Sequence, residues 1–203
     1  MADLESSETL IRLGIFIAVF VLLVSVETLF PRRPRHISRA RRWPANVAIS
    51  LLNQAFIRLV LPASAIGLAV TTEDNGWGLL GQVALPSWVE VLAAILILDL
   101  VIYLQHRAFH AVPVLWRFHL MHHADVEFDV TTGIRFHPVS VLVSMVIKLL
   151  AVLVVGAAPV AVLAFEVLLN ATSLFNHSNL KIPASVDRVL RWFVVTPDMH
   201  RVH

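Results

Sequence analysis

Apolar stretches long enough to cross a bilayer run through most of this chain. The clearest are Leu10 to Phe30, Pro44 to Val70, Trp88 to Gln105 and Val139 to Phe175. A helix needs about 20 apolar residues to span the hydrocarbon layer. Hydrophobic residues make up 58% of the chain and charged residues only 15%, far below the share of about a quarter in soluble domains. We therefore predict an all-α, multi-pass integral membrane helical bundle, capped by a histidine-rich helical region on the cytoplasmic side.

Charge and turn residues orient these helices. Residues 31–42 contain six arginines and His36 but no acid, and the positive-inside rule places such a loop in the cytoplasm. Residues 71–86 carry three glycines and read as a loop on the opposite side. The last apolar stretch is broken near Gly156 and Pro159, which predicts a hairpin of two helices that either crosses the bilayer or dips into it. In all we expect about four membrane segments.

The histidines are concentrated in the second half of the chain. Nine of the ten lie between His106 and His203, and seven of them form runs with spacings of three or four residues or immediate neighbours. On a helix, residues three or four apart share one face, so each run presents its imidazoles to a common point. The runs are His106 with His110, then His119, His122 and His123, and finally His200 with His203. Such a set supplies enough nitrogen for two metal ions.

The other histidines and the absence of cysteine refine this expectation. His137 and His177 stand alone, and each is either a further ligand or a hydrogen-bond partner of one. Because the chain has no cysteine, thiolate zinc sites and iron–sulfur clusters are excluded. If membrane crossings are counted from the arginine-rich loop, we expect every histidine run to lie on the cytoplasmic side.

Polar residues inside the apolar stretches suggest partners for the ligands. Asp99 lies two turns before His106 on one helical face, and Glu166, Asn170 and His177 repeat that kind of spacing. Histidine ligands usually donate their second N–H to a carboxylate or carbonyl, so Asp99, Glu166 and Asn170 are candidate supports of the ligands. For the two acids the alternative is a bond to a neighbouring helix away from the metal.

Five successive motifs resemble those of the fatty acid hydroxylase and sterol desaturase superfamily. They lie at residues 99–110, 115–123, 131–138, 175–179 and 196–203, and include the three histidine runs, the Phe-His-Pro of His137 and the Asn-His of His177. The resemblance implies a membrane oxygenase with a histidine-ligated dimetal centre, normally two iron ions, with zinc as a substitute in purified protein. By this resemblance the ligands are His106, His110, His119, His122, His123, His137, His177, His200 and His203.

Two departures from that pattern stand out. The family's last motif normally reads H-x2-H-H and is followed by further sequence, whereas this chain stops at His203, so we expect a fragment. Ser140 stands where many relatives carry a glutamate shortly after the His-Pro pair. We divide the chain into N-terminal transmembrane helices and loops (residues 1–98) and a histidine-box catalytic region (residues 99–203).

The predicted reaction is dioxygen-dependent hydroxylation or desaturation of a lipid or sterol substrate. Trp116, Arg117, Arg135 and Phe136 flank the motifs and are candidate substrate contacts, with packing or interfacial anchoring as the alternative. Since no haem, flavin or iron–sulfur motif is visible, an external electron donor protein is required. A net charge of +2 gives no reason to expect nucleic acid. We expect a bacterial inner membrane rather than the endoplasmic reticulum.

Two other function classes remain. A membrane electron carrier with bis-histidine haem would also use facing histidines, although haem needs only one ligand on each face. A metal-ion transporter would place histidines along a pathway across the bilayer rather than at one end.

Overall fold

The computed structural model describes the backbone of residues 2–203 and the side chains of residues 8–203. Within these residues the chain is helical, with no strand beyond an isolated bridge between Pro31 and Leu180. This confirms the predicted all-α class. The α-helices are Ala2–Leu29 (α1), Arg39–Val60 (α2), Ala65–Asp74 (α3), Ser87–Ala111 (α4), Pro113–His123 (α5), Pro138–Val155 (α6), Pro159–Asn176 (α7), Ala184–Leu190 (α8) and Pro197–His200 (α9).

Five segments of the described chain are long and apolar enough to cross a membrane. They are Glu8–Leu29, Arg39–Asp74, Ser87–Ala111, Pro138–Val155 and Pro159–Asn176. The count exceeds the expected four because α6 and α7, the two arms of the predicted hairpin, each have spanning length. The protein is thus a multi-pass membrane protein.

The second of these segments is interrupted. Helix α2 ends at Val60 and α3 begins at Ala65, with Pro62 between them. Proline lacks a backbone N–H and disfavours the helical conformation of the residue before it, so the break falls where the sequence requires it. Ser64 caps the new helix by accepting a hydrogen bond from the Gly67 N–H at 2.9 Å. Helix α3 continues to Asp74, so the loop predicted from Thr71 begins later.

Small residues form the centre of the bundle, where α3, α4, α6 and α7 meet. Ala69, Ala94, Ala157 and Ala161 are fully buried, and Phe165 fills the space beside them. Small side chains let helix backbones approach closely, which is how helices associate where lipid removes the hydrophobic driving force. This packing holds α4 against both arms of the hairpin.

The turn of the hairpin lies against the loop that follows α3. Gly156 ends α6 in the left-handed conformation, with φ of 68°, and Gly78 has φ of 91°. A Cβ on Gly78 would lie 2.3 Å from the Gly156 Cα, so neither position accommodates a side chain. The Leu79 N–H also donates to the Val154 carbonyl at 2.9 Å. The predicted hairpin is present, and its turn shares one end of the bundle with the residue 75–86 loop.

The arginine-rich loop lies at the other end, tied to the C-terminal segment through Glu27. This carboxylate is fully buried and accepts hydrogen bonds from the N–H groups of Asn179 (2.9 Å) and Val130 (3.3 Å). It also pairs with Arg39 at 2.5 Å. One acid of α1 therefore joins three segments that lie far apart in sequence.

Candidate metal centre

Eight histidines converge at the end of the bundle that carries the arginine-rich loop. Two come from the last turns of α4, three from α5, one from the residue that ends α7, and two from α9 and the turn after it. Pro113 starts α5 directly after α4, so the chain bends there and the two histidine runs face each other. The predicted convergence of separate runs on one place is present in the fold.

The larger group contains five imidazoles. Ligand nitrogens of His106, His110 and His203 lie within 4.8 Å of one another, and so do those of His110, His119 and His123. The Nε2 atoms of His106 and His203 are 2.7 Å apart, and those of His119 and His123 are 3.2 Å apart. Because His110 belongs to both triads, the five rings form one continuous site.

The second group consists of His122, His177 and His200. Their ligand nitrogens also lie within 4.8 Å of one another, and the Nε2 atoms of His122 and His177 are 2.8 Å apart. His122 touches the first group through His119, with ring centroids 5.3 Å apart. The arrangement is two adjacent nitrogen-rich sites.

Backbone carbonyls fix the orientation of the second group. The Nδ1 atom of His122 lies 3.1 Å from the Arg135 carbonyl, and that of His177 lies 2.6 Å from the Ser173 carbonyl. A carbonyl only accepts hydrogen bonds, so each Nδ1 carries the proton. The Nε2 lone pairs are left for a metal, as in the outer contacts that usually orient histidine ligands.

Burial and mutual proximity keep these imidazoles neutral. Loss of water, followed by the charge of neighbouring histidines, lowers the pKa of His119 to about 3, of His123 to about 4 and of His200 to about 2. Burial likewise lowers the pKa of His177 to about 4, although its bond to the Ser173 carbonyl opposes the shift. Neutral imidazole is the form that binds metal, so the set is ready to bind at neutral pH.

The geometry fits bound ions. Two imidazole nitrogens that share one ion at bond lengths near 2.0–2.1 Å lie about 3 Å apart, the range of the three short Nε2 pairs. The Nε2 atom of His110 is buried and has no hydrogen-bond partner among the described residues, although a buried polar atom normally has one. A metal ion would satisfy it.

A buried charge network supports the loop that follows α5. Arg42, at the start of α2, pairs with Asp125 at 2.6 Å and with Asp129 at 2.8 Å. Asn46 joins the same loop to Arg135 through a bond of 2.9 Å from the Arg135 guanidinium. The network thereby positions the Arg135 carbonyl that orients His122.

His137 lies outside both histidine groups. Its Nδ1 accepts a hydrogen bond from the Val139 N–H at 3.2 Å, which caps the N-terminus of α6, and its ring packs on Phe118 with centroids 5.1 Å apart. The geometry therefore gives its predicted role as a ligand no support, whereas it brings His177 directly into the second group.

The three polar residues expected to support ligands lie elsewhere as well. Asp99 is exposed on α4 and makes no side-chain hydrogen bond within the described chain. Glu166 pairs with Lys148 of α6 and with Arg12 of α1, which is the second of the two alternatives considered for it. Asn170 donates to the Glu166 carbonyl at 2.8 Å. The carbonyls of Arg135 and Ser173 occupy the supporting positions instead.

The four candidate substrate contacts divide into two kinds. Trp116 packs against His110 and His123, with centroids 5.1 and 5.5 Å apart, and Phe136 stacks on His122 at 4.4 Å. Arg117 is exposed, and Arg135 donates to the Met121 carbonyl at 3.1 Å as well as to Asn46. The aromatic pair shields the histidines, while Arg135 is engaged in the loop network.

A cavity of about 430 Å³ opens onto the histidines from the arginine-rich loop. Five histidines of the cluster line it, together with Phe128, Arg33 and Arg201. Sequence reasoning did not single out Arg201, Glu27 or Arg42. For Glu27 a signal exists, because an acid inside an apolar run is costly unless it is paired.

Comparison with known families agrees with the motifs. The model of the family described as fatty acid hydroxylase matches residues 91–203, which is more than half of the chain and includes all eight clustered histidines. No curated protein and no solved structure matches the chain.

Proposed function

The chain belongs to the fatty acid hydroxylase family, and from this premise we propose that it is a membrane-bound, dioxygen-dependent oxygenase that hydroxylates or desaturates a lipid or sterol. We further propose that it works with two iron ions, one in each histidine group. The observation that carries the proposal is the pair of adjacent, neutral imidazole sites at one end of a membrane bundle. Imidazole also accepts zinc, which can replace iron in purified protein.

The residues of the chain have distinct tasks in this proposal. The first ion is held by His106, His110, His119, His123 and His203, and the second by His122, His177 and His200. When bound, the metal pair would activate dioxygen for attack on an unactivated C–H bond, a chemistry that no side chain provides. The Arg135 and Ser173 carbonyls keep two Nε2 atoms aimed at the site, and Trp116 and Phe136 cover the imidazoles and limit access of water.

Electrons have to come from a separate redox protein at the histidine end of the bundle. The arginine-rich loop lies at this same end, and basic loops face the cytoplasm. We therefore propose that the histidine cluster and the electron donor are both cytoplasmic, in a bacterial inner membrane.

The two competing classes fit the site less well. A haem iron between two axial imidazoles separates their nitrogens by about 4 Å on opposite faces of the ring, whereas the paired nitrogens here lie 2.7–3.2 Å apart. A transport pathway would place ligands along the spans, but the eight histidines are grouped at one end.

The test is metal analysis and turnover of the purified full-length protein. We expect two iron ions per chain, no Soret band and oxidation of a lipid that depends on dioxygen and an added reductant. Replacing His106, His122 or His200 by alanine removes a ligand, so each variant should lose at least one ion and all turnover. His36→Ala is the control for metal content, because His36 lies outside the cluster.

The results of these measurements distinguish the oxygenase from the haem electron carrier and from the metal transporter. Retention of two ions in any of the three alanine variants contradicts the ligand assignment. A Soret band would indicate haem, and a variable metal content without lipid oxidation would indicate transport.

A further inference from the structure

Arg201 is a half-buried cation without an acidic partner among the described residues. Its Nη2 donates to the Asn179 side-chain oxygen at 2.8 Å, while its Nε and Nη1 atoms are buried and have no hydrogen-bond partner among the described residues. Arg201 forms no ion pair with any residue that the structure describes. Other arginines of the same end, such as Arg42 and Arg39, do reach carboxylates.

Such an arrangement is unfavourable in the absence of a ligand. A guanidinium nitrogen that has lost water without gaining a hydrogen-bond partner or a counter-charge is energetically unfavourable, so buried charged groups are normally paired. The Asn179 oxygen offers little compensation, because it also accepts the Arg33 N–H at 3.1 Å. The Phe128 ring, 4.9 Å below the guanidinium, covers one face but accepts no conventional hydrogen bond.

The Arg201 side chain lines the cavity that reaches the histidines. Arg33, which is exposed, lines the same cavity and adds a second positive charge. The two acids in the wall are already engaged: Asp125 pairs with Arg42, and Glu127 accepts the His36 N–H at 2.7 Å and the Ile37 N–H at 2.9 Å. Neither acid of the wall therefore forms a hydrogen bond or an ion pair with the Arg201 guanidinium among the described residues.

The cation lies next to the second histidine group. The Phe128 ring contacts the guanidinium on one side and lies 5.8 Å from the His177 ring and 6.0 Å from the His200 ring. A negatively charged group bound at Arg201 would thus be separated from the proposed metal ligands by one aromatic ring. The site is close enough to hold one end of a molecule that reacts at the centre.

We infer that Arg201, assisted by Arg33, binds the acidic group of the substrate, a carboxylate or a phosphate carried by a lipid. That the ligand is a lipid rests on the proposed function. That the ligand is negatively charged rests on the unpaired guanidinium of Arg201. Arginine suits either anion, because its planar guanidinium donates several hydrogen bonds to their oxygens.

Binding without turnover tests the assignment. Full-length protein in nanodiscs of zwitterionic lipid is titrated, without reductant, with palmitate, with lysophosphatidate and with hexadecanol, which has the same chain as palmitate but no charge. Palmitate or lysophosphatidate should bind more tightly than hexadecanol. Arg201→Gln should weaken binding of the acidic lipid about 10-fold or more, the loss expected for a charge-assisted hydrogen bond, and leave hexadecanol unchanged.

Matched variants and probes decide the result. Arg188→Gln changes an exposed arginine of α8 at the same end and should bind like the parent, while Arg201→Lys should restore part of the affinity. Equal loss for palmitate and hexadecanol, or no loss at all, overturns the assignment. Full competition by inorganic phosphate at the same concentration would also overturn it, because the lipid chain would then contribute nothing. Metal content, measured on the same samples, reports separately on the proposed dimetal centre.

Discussion

At the scale of single residues, histidine has two different roles in this protein. Eight imidazoles turn their nitrogens toward each other, whereas His137 uses its Nδ1 to hold the first turn of α6. Both uses require a neutral ring, so protonation state does not distinguish them. Position does: His137 directly precedes Pro138, which occupies the first turn of the helix that it caps.

His137 is therefore expected to be dispensable for metal binding. His137→Asn retains a side chain that caps helices well and should keep both ions and the parent melting temperature. His137→Ala should also keep both ions but lose about 1 kcal/mol of stability with the cap. His177→Asn is the comparison, because it removes a nitrogen from the second group. Metal analysis and thermal unfolding in detergent measure both effects, and loss of an ion from His137→Asn would make His137 a ligand after all.

The sequence indicated which seven histidines of the three runs would lie together, whereas of the two isolated histidines only His177 joins the cluster. The three runs are recognisable because helical geometry brings residues three or four apart to one face. Arg201 lies between His200 and His203 and carries no sequence pattern of its own, and its neighbours Asn179 and Phe128 come from other segments. The missing hydrogen-bond partners of Arg201 can therefore be recognised only in the folded structure.

At the scale of helices, one acid connects three membrane spans. Glu166 of α7 pairs with Lys148 of α6 and Arg12 of α1, and its exposed fraction is only 4%. Removing one partner of a buried ion pair costs more than the pair contributes, since the remaining charge stays buried. In this structure Glu166 joins neighbouring helices, and it lies about three helical turns before His177 along α7.

Glu166→Gln should accordingly destabilise the bundle without emptying the metal centre. The change leaves Lys148 and Arg12 facing an uncharged amide, and we expect a loss of about 2–5 kcal/mol, seen as a lower melting temperature in detergent. Glu73→Gln, an exposed acid at the end of α3, is the control and should melt like the parent. Loss of an ion together with unchanged stability would instead support the alternative that Glu166 assists a ligand.

The helices themselves were predictable where composition dictates them. The hairpin turn at Gly156 and the break near Pro62 follow from residues that cannot continue a helix. The end of α3 was placed too early, because Thr71 to Asp74 read as polar loop residues although they continue the helix to a cap at Asn75. Contacts between distant segments, such as those of Glu27 with Val130 and Asn179, could not be predicted from local sequence patterns, because the two partners are more than 100 residues apart.

At the scale of the whole molecule, the arginine-rich loop and the clustered histidines lie at the same end. The arginine-rich loop, the histidine cluster and the cavity are together, and the residue 75–86 loop with the hairpin turn is at the other end. This polarity agrees with the crossing count made from the sequence. The prediction that this end faces the cytoplasm comes from the positive-inside rule.

Cysteine labelling tests that orientation directly, because the chain has no cysteine of its own. Ser38→Cys places one thiol in the arginine-rich loop, and Val83→Cys places one in the loop at the opposite end; both positions are exposed. In intact spheroplasts a membrane-impermeant maleimide should label Val83→Cys, while Ser38→Cys should react only after permeabilisation. The reverse pattern would put the histidines outside the cytoplasm.

The spacing of the clustered histidines along the chain also determines when the proposed metal centre can form during biogenesis. His106 and His203 face each other although 97 residues separate them, and the second group needs His200. Under the proposed function, synthesis has to reach His200 before the second group has its three histidines and His203 before the first group has its five, so the earlier helices insert into the bilayer without metal. Cells deprived of iron should consequently accumulate an inserted apoprotein that can be loaded later without new synthesis.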